Sequence, residues 1–289
     1  MIGTNKKYHL YFLGILASVS IYLFTLSLSV GDNKLKVYFL DIGQGDSIFI
    51  QAPNGNQMIV DGGPPTGALE RKLGEILPFW DRYIDVVLMT HPDQDHIGGL
   101  VDLLKNYKAG VFIEPGVGSD NGVYQTLENE VNAEGIHKIL ARRGQRINLG
   151  GGVVFDILFP DRDTTGWETN RASIVGRLTY GNTSFLLTGD SPVEIEHYLV
   201  GLDKKLATST LASDVLKAGH HGSRTSSSEE YVREISPQYA VISAGKNNKY
   251  GHPHKEVVDL FNSLNIPILS TIEMGTIIFE SDGKNLIYK

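Results

Sequence analysis

The sequence contains no cysteine, which excludes disulfide staples and thiolate metal sites. Any metal held here takes histidine and carboxylate ligands. No short repeat and no low-complexity tract is present, which argues against a solenoid and against a disordered chain. An excess of basic charge is also missing. The formal net charge is −7, which gives no broad cationic face for nucleic acid. One local basic run, Ala141 to Arg146, is first of all a solvated surface and only secondarily a DNA contact. Long apolar runs are scarce. The single one, Leu10 to Val30, carries no charge over about 20 residues, enough to cross a bilayer core as a helix.

That run follows Lys6 and Lys7 and shows no clean small-x-small cleavage site. It reads as a retained single-pass anchor, residues 1–31, with secretion after signal cleavage as the alternative. Lys6 and Lys7 favour an internal N-terminus and an external domain, although Lys34 and Lys36 follow closely.

From residue 34 to 289 the chain reads as one mixed α/β domain. Val37 and Phe39, then Ile48 and Ile50, alternate as two strands around a glycine-containing turn. Met58 to Val60 and Asp85 to Met89 read as further strands, and Ala68 to Leu77 and Ile97 to Tyr107 as helices. The second half continues with strands over Val153 to Phe159, Ile174 to Tyr180, Thr183 to Leu187, Val215 to Lys217 and Gln238 to Ile242. Helices are expected over Val193 to Val200, Ser228 to Ile235 and His254 to Leu264, and closing strands around Ile268 and Ile277. Two strand-rich halves suit two packed sheets with helices outside. Asp161 to Thr169 and Ser223 to Ser228 are expected as exposed loops.

The stretch THPDQDHIGG, Thr90 to Gly99, places His91, Asp93, Asp95 and His96 on a strand-to-helix turn, with the helix starting at His96. Alternate residues of an extended segment point to one side, so this turn can aim four donors at a common volume. Imidazole and carboxylate suit divalent ions, and neighbouring aspartates repel without a cation. Two further signals follow. Asp190 ends Leu186-Leu187-Thr188-Gly189-Asp190, where a lone aspartate is more often a helix N-cap. His220-His221-Gly222-Ser223 follows another short strand.

Together these motifs resemble the metal motifs of the metallo-β-lactamase superfamily. LDIGQGDS from Leu40, VDGG from Val60, THPDQDHIGG, LLTGD, HHGS, YGHP from Tyr250 and the Asn170-x-x-Ser173 pair are similar, more narrowly, to the soluble domain of the ComEC competence proteins. The resemblance implies an αββα sandwich with a dinuclear site at one edge of the sheets. It implies His91 and Asp93 on a first metal, Asp95 and His96 on a second, and Asp190 as the bridging carboxylate. One of His220 and His221 completes the second metal, His221 being slightly favoured. Other superfamily members give the first metal a further histidine. His137 and His197, the two available between the motifs, read as surface residues, so that site is oxygen-rich and shifts toward manganese or magnesium. The expected cofactors are two divalent ions, manganese or zinc, with magnesium as a third option.

The resemblance further implies hydrolysis of a phosphodiester, with DNA as the substrate class, at the bacterial cell membrane. Asp95 is expected to orient the attacking water. His252 either faces the leaving group or fixes the loop beside Pro253. Gln44 and Asp46 are expected to line or brace the site, and Asp61 to orient a ligand histidine. Lys217, Ser223, Arg224 and Asn170 read as exposed residues before phosphate contacts. The competing functions are a phosphoesterase of cell-envelope polymers, of the phosphocholine or teichoic acid type, and an inactive membrane-tethered binding module.

Overall fold

The computed structural model describes residues 3–29 and 33–289. Val30 and Gly31, at the end of the expected anchor, lie outside the described residues. Helix α1 (Gly3–Ser29) runs through the apolar segment. Its stretch from Lys6 to Phe24 is 19 residues long with a mean hydropathy of 1.3 and is exposed, so it is long and apolar enough to cross a membrane.

The domain then alternates β1 (Leu35–Phe39), β2 (Ile48–Gln51), β3 (Gln57–Val60), α2 (Ala68–Ile76), β4 (Tyr83–Leu88), α3 (Gln94–Asn106), β5 (Lys108–Glu114), α4 (Gly122–Ala133) and β6 (His137–Leu140). It continues with β7 (Arg146–Gly150), β8 (Val153–Phe159), β9 (Val175–Tyr180), β10 (Thr183–Leu187), α5 (Val193–Leu206), β11 (Val215–Lys217), α6 (Glu229–Ile235) and β12 (Tyr239–Ile242). The last elements are α7 (Lys255–Ser263), β13 (Ile268–Ser270), α8 (Thr271–Met274), β14 (Ile277–Ser281) and β15 (Leu286–Tyr288).

The strands form two sheets, ordered β15-β14-β1-β2-β3-β4-β5-β6 and β13-β12-β11-β10-β9-β8-β7. Their inner faces share one apolar core in which Phe39, Phe155, Phe185 and Phe279 are fully buried. Alternation explains this: Val37 and Phe39 turn inward, whereas Tyr38 and Leu40 join the outer layer beneath α2 and α3. A third cluster lies between the second sheet and α5, α6 and α7. The architecture is the expected αββα sandwich.

Several expectations need correction. Helix α3 begins at Gln94, with Asp93 at its N-cap, so Asp95 and His96 stand in its first turn. Pro192 sits at the N-cap of α5, so Asp190 is free of the capping role a lone aspartate usually takes. Ser223 to Ser228 is not an open loop. Arg224 and Thr225 are exposed, but Ser223, Ser226 and Ser227 are buried: Ser226 Oγ donates to Ser191 O at 2.8 Å, and the buried Glu196 carboxylate accepts the Ser227 and Ser228 amides at 2.5 and 2.8 Å. Strands β5, β6, β7 and β15 and helices α4 and α8 are not among the elements expected from the sequence. Edge strands such as β6 and β15 are half-exposed and lack a two-residue apolar period.

Candidate metal centre

The parallel strands of both sheets send their C-terminal ends to one edge of the sandwich, where ligand sites of such sheets form. His91 follows β4, Asp190 follows β10, and His220 and His221 follow β11. The Gly-rich turn between β1 and β2 opens on the same edge.

Glycines explain how the pieces close up. Gly45 adopts φ +127°, and a Cβ there would lie 2.0 Å from the Asp95 carbonyl oxygen. A Cβ on Gly99 would lie 2.1 Å from the Gly62 carbonyl oxygen. The HIGG and VDGG motifs therefore touch backbone to backbone, joined by Gly62 N to His96 O at 2.6 Å and Gly99 N to Gly63 O at 3.0 Å. A Gly99→Ala protein is expected to lose about 1–3 kcal/mol of stability through overpacking. Chemical denaturation checks this, and an unchanged midpoint would refute the contact.

Asp61 is the brace of this turn. It has φ 58°, a strained conformation for a non-glycine residue. Its carboxylate accepts the Thr90 amide and the Thr90 hydroxyl, each at 2.7 Å, and faces His96 Nδ1 at 2.8 Å. The Thr90 hydroxyl has one proton, and it goes to Asp61. His91 Nδ1, 3.0 Å from that hydroxyl oxygen, is then the donor, so His91 Nε2 carries the lone pair. His96 Nδ1–H likewise donates to Asp61. His221 Nδ1 lies 3.2 Å from Asp46 Oδ1 and 3.1 Å from Ser243 O, and His220 Nδ1 lies 3.2 Å from Thr225 Oγ1. All four imidazoles thus have an oxygen partner behind them, the arrangement that orients metal-binding histidines.

In front of them stands Asp190. Its carboxylate oxygens lie 3.8 Å from His91 Nε2, 3.3 Å from His96 Nε2, 3.4 Å from His220 Nε2 and 3.6 Å from His221 Nε2. Asp95 Oδ2 is 3.4 Å from His221 Nε2, and Asp93 Oδ2 is 3.8 Å from His91 Nε2. Asp93 is the most open of the group, its side chain 38% exposed. Every residue expected from the motifs therefore faces one small volume.

Electrostatics fit a cation there. Burial opposes charge on Asp190, yet His96 and His221 outweigh it and hold the carboxyl well below its usual range. Burial also opposes a charged His96, but Asp190 and Asp61 carry its pKa well above the ordinary value. His221 is raised to about 9 against burial by Asp190 and Asp46. His91 falls to about 4, from burial and then from the charge on His96. His91 Nε2 and Asp190 Oδ1 are buried and lack any hydrogen-bond partner. Two orphaned polar atoms in a nitrogen–oxygen donor set are what a divalent ion would satisfy.

One ligand atom each from Asp46, His96, Asp190 and His221 also falls within 4.8 Å of the others. Asp46 belongs behind the cluster, however. Lys217 Nζ holds its Oδ2 at 2.8 Å and the far nitrogen of His221 meets its Oδ1. Lys217 is fully buried, which corrects its reading as an exposed residue. Ser223 is buried as well, whereas Arg224 is exposed. The partnership of Asp46 with Lys217 escaped the motif reading because it spans 171 positions, from Asp46 to Lys217.

His252 lies against the cluster, its ring 5.6 Å from that of His220 and 6.0 Å from that of His221. Burial, then the charges of His221 and His220, lower its pKa to about 4, so it is neutral at pH 7. Its Nδ1 is buried without a partner. His137 and His197 are exposed and away from the cluster. Asn170 stands at the start of the short helical turn Asn170–Ala172, half-buried. The basic run is spent on the fold: Arg142 donates to Pro115 O, Arg143 to Leu158 O, and Arg146 pairs with Asp156 at 2.6 Å.

Known proteins are similar to this chain in sequence and in fold. ComE operon protein 3 of Bacillus subtilis (strain 168) is 34% identical over 84% of the chain, and Competence protein ComA of Neisseria gonorrhoeae is 30% identical over 87%. The chain spans about a third of each relative, 32% and 33% of their lengths. Among solved structures, the metallo-beta-lactamase fold protein YhfI of Bacillus subtilis superposes with a TM-score of 0.57 at 12% identity, covering 86% of this chain and all 100% of that one. Igni18, a metallo hydrolase of Ignicoccus hospitalis, gives 0.55 at 12% identity over 86% of this chain and 99% of that one. The Metallo-beta-lactamase superfamily profile matches residues 40–246, the span that carries both sheets' share of the site, and the chain belongs to that superfamily.

Proposed function

We propose that this protein is a membrane-anchored, metal-dependent phosphodiesterase whose substrate is DNA. The observation that carries the metal-dependent part is Asp190, a buried carboxylate facing four oriented imidazole Nε2 atoms. His91, Asp93, His220 and Asp190 would hold one divalent ion, and Asp95, His96, His221 and Asp190 a second. When bound, such ions activate water and offset charge building on a phosphoryl oxygen. A set without sulfur favours manganese or zinc, with magnesium also accommodated. Asp95, one-third exposed at the mouth, orients the attacking water, and neutral His252 donates toward the leaving oxygen.

The DNA part draws support from the relatives' competence role and from a groove beside Asp95. This groove, about 560 Å³, is lined among others by Gln44, Gln94, Asn248, Lys249 and Tyr250. Tyr250 is 51% exposed; its ring stacks on His252 at 5.6 Å and Lys249 Nζ lies over it, 5.0 Å from the centroid, so a base would displace the Lys249 chain to stack. An aromatic surface beside a cation is what single-stranded nucleic acid uses for stacking and backbone contact. Tyr250→Ala is expected to weaken single-stranded DNA binding by about 1–3 kcal/mol, the value of one base stack. KM for DNA then rises by more than KM for bis-p-nitrophenyl phosphate, which has no base to stack, while any fall in turnover through the His252 ring that Tyr250 stacks on is common to both substrates. An unchanged KM would remove the groove from substrate binding.

The test of the proposal uses the detergent-solubilised chain with manganese or zinc. It should cleave bis-p-nitrophenyl phosphate and single-stranded DNA, and a chelator should stop both. DNA left intact while a choline-phosphate ester is cut would replace this reading with an envelope phosphoesterase. Metal bound without any turnover would leave only a binding module.

A further inference from the structure

The largest exposed aromatic pair of the domain lies far from the metal centre. Phe79 is 78% exposed and Trp80 is 59% exposed, and their rings meet edge to face at 4.8 Å. The turn beneath them is fixed. Asp81 N donates to Pro78 O at 2.9 Å, and Arg82 Nε donates to Phe79 O at 3.2 Å. Asp81 is in turn held by Gln57 Nε2 at 2.6 Å. Two large apolar side chains presented together on a pinned turn are a contact surface rather than scattered exposure.

Sheet register tells which way this turn faces. β1 is antiparallel to β2, β2 is antiparallel to β3, and β3 is parallel to β4. β1 and β4 therefore run in the same direction, and their first residues, Leu35 and Tyr83, share one edge of the sheet. Three strand spacings separate them, about 15 Å. Leu35 is also where the chain enters the domain after α1 ends at Ser29, and the intervening backbone spans at most about 20 Å. The Phe79–Trp80 turn is thus on the tethered edge. The metal centre, at the C-terminal ends of the same strands, is on the opposite edge. Arg82, Lys105 and Lys108 line a shallow depression beside the turn, with Glu134 on its wall.

We propose that the Phe79–Trp80 turn is a second membrane contact, its rings seated at the headgroup level of the bilayer that holds α1. This rests on the reading of α1 as an anchor. Aromatic side chains concentrate at that level because one end of the ring environment is apolar and the other wet. Arg82 and Lys108 then face the lipid phosphates. The contact gives the domain a second point of attachment and so a fixed orientation, with the metal centre turned to the aqueous side and its groove open to a long polymer.

The sequence holds two tryptophans, Trp80 and Trp167, and none in α1. The Trp167→Phe chain with α1 present, reconstituted in phosphatidylcholine–phosphatidylglycerol vesicles, makes Trp80 the sole reporter. Its emission is expected to shift to shorter wavelength relative to detergent-free water and to be strongly quenched by brominated acyl chains. Should Trp167→Phe fold poorly, the unaltered protein against Trp80→Phe gives the same answer: the quenched component disappears. Water-like, unquenched emission from protein that resists alkaline carbonate extraction overturns the contact and leaves the anchor standing. Release by carbonate overturns the anchor and the contact with it. A blue-shifted, unquenched signal that grows with protein density assigns the turn to a second copy of the chain and overturns the lipid contact.

Discussion

An Asp190→Ala protein is expected to lose phosphodiester hydrolysis by more than about 100-fold, beyond the range seen when groups behind metal ligands are changed. The reason is geometric. Asp190 is the one carboxylate within 4 Å of the Nε2 atoms of His91, His96, His220 and His221. Removing it takes an oxygen from both halves of the proposed ion pair and leaves facing imidazoles with nothing between them. Metal content measured by mass spectrometry should fall with the activity. The fold should persist, since Asp190 caps no helix and its Oδ1 makes no hydrogen bond within the protein. His197→Ala, an exposed histidine on α5, serves as the control and should match the unaltered protein. Full activity in Asp190→Ala would end the dinuclear reading.

A Lys217→Met protein is expected to lose about 3–5 kcal/mol of stability, because one partner of a buried ion pair is left alone. Lys217 is fully buried, with Nζ 2.8 Å from Asp46 Oδ2 and 3.0 Å from the Ala218 carbonyl. Burial alone would raise the Asp46 pKa. Lys217, then His221, overcome it and hold the group ionised. Without Lys217 the Oδ2 of that carboxylate loses its cation in a buried site, and only His221 remains beside the group. Chemical denaturation of the detergent-solubilised chain measures the loss. Adding Asp46→Asn should recover part of it, because the stranded charge is removed with its partner. The double variant should still hydrolyse about 10–100-fold more slowly, since Asp46 fixes His221 from behind. A single variant as stable as the parent would show that water reaches Asp46.

These two residues also show how far the motifs carry. Asp190 was legible: an apolar strand running into Gly-Asp, between two histidine motifs, is a local signal. What weakened it was the commoner use of such an aspartate as a helix cap, and only the placement of Pro192 at that cap removed the alternative. Lys217 was illegible. In the sequence it is a lysine at the end of a short strand, and lysine is rarely buried. Its role appears when β11 of one sheet brings it against the β1–β2 turn of the other. The choice between His220 and His221 had the same character. Both adopt left-handed backbone, φ 48° and 56°, and this turns both rings toward Asp190 from adjacent positions. Neighbouring residues in an extended segment would have pointed apart.

Most of the strands, the two-layer character of the domain, the apolar N-terminal helix and the chemical character of the site were determined by the sequence, because each depends on local periodicity or on clustered residue types. The tertiary structure alone decided which groups stand behind the ligands, which histidines share Asp190, and that Phe79 and Trp80 lie on the tethered edge. Those facts depend on contacts between segments tens to hundreds of residues apart. Such contacts are set by sheet register and packing, and no short stretch of the chain carries that information.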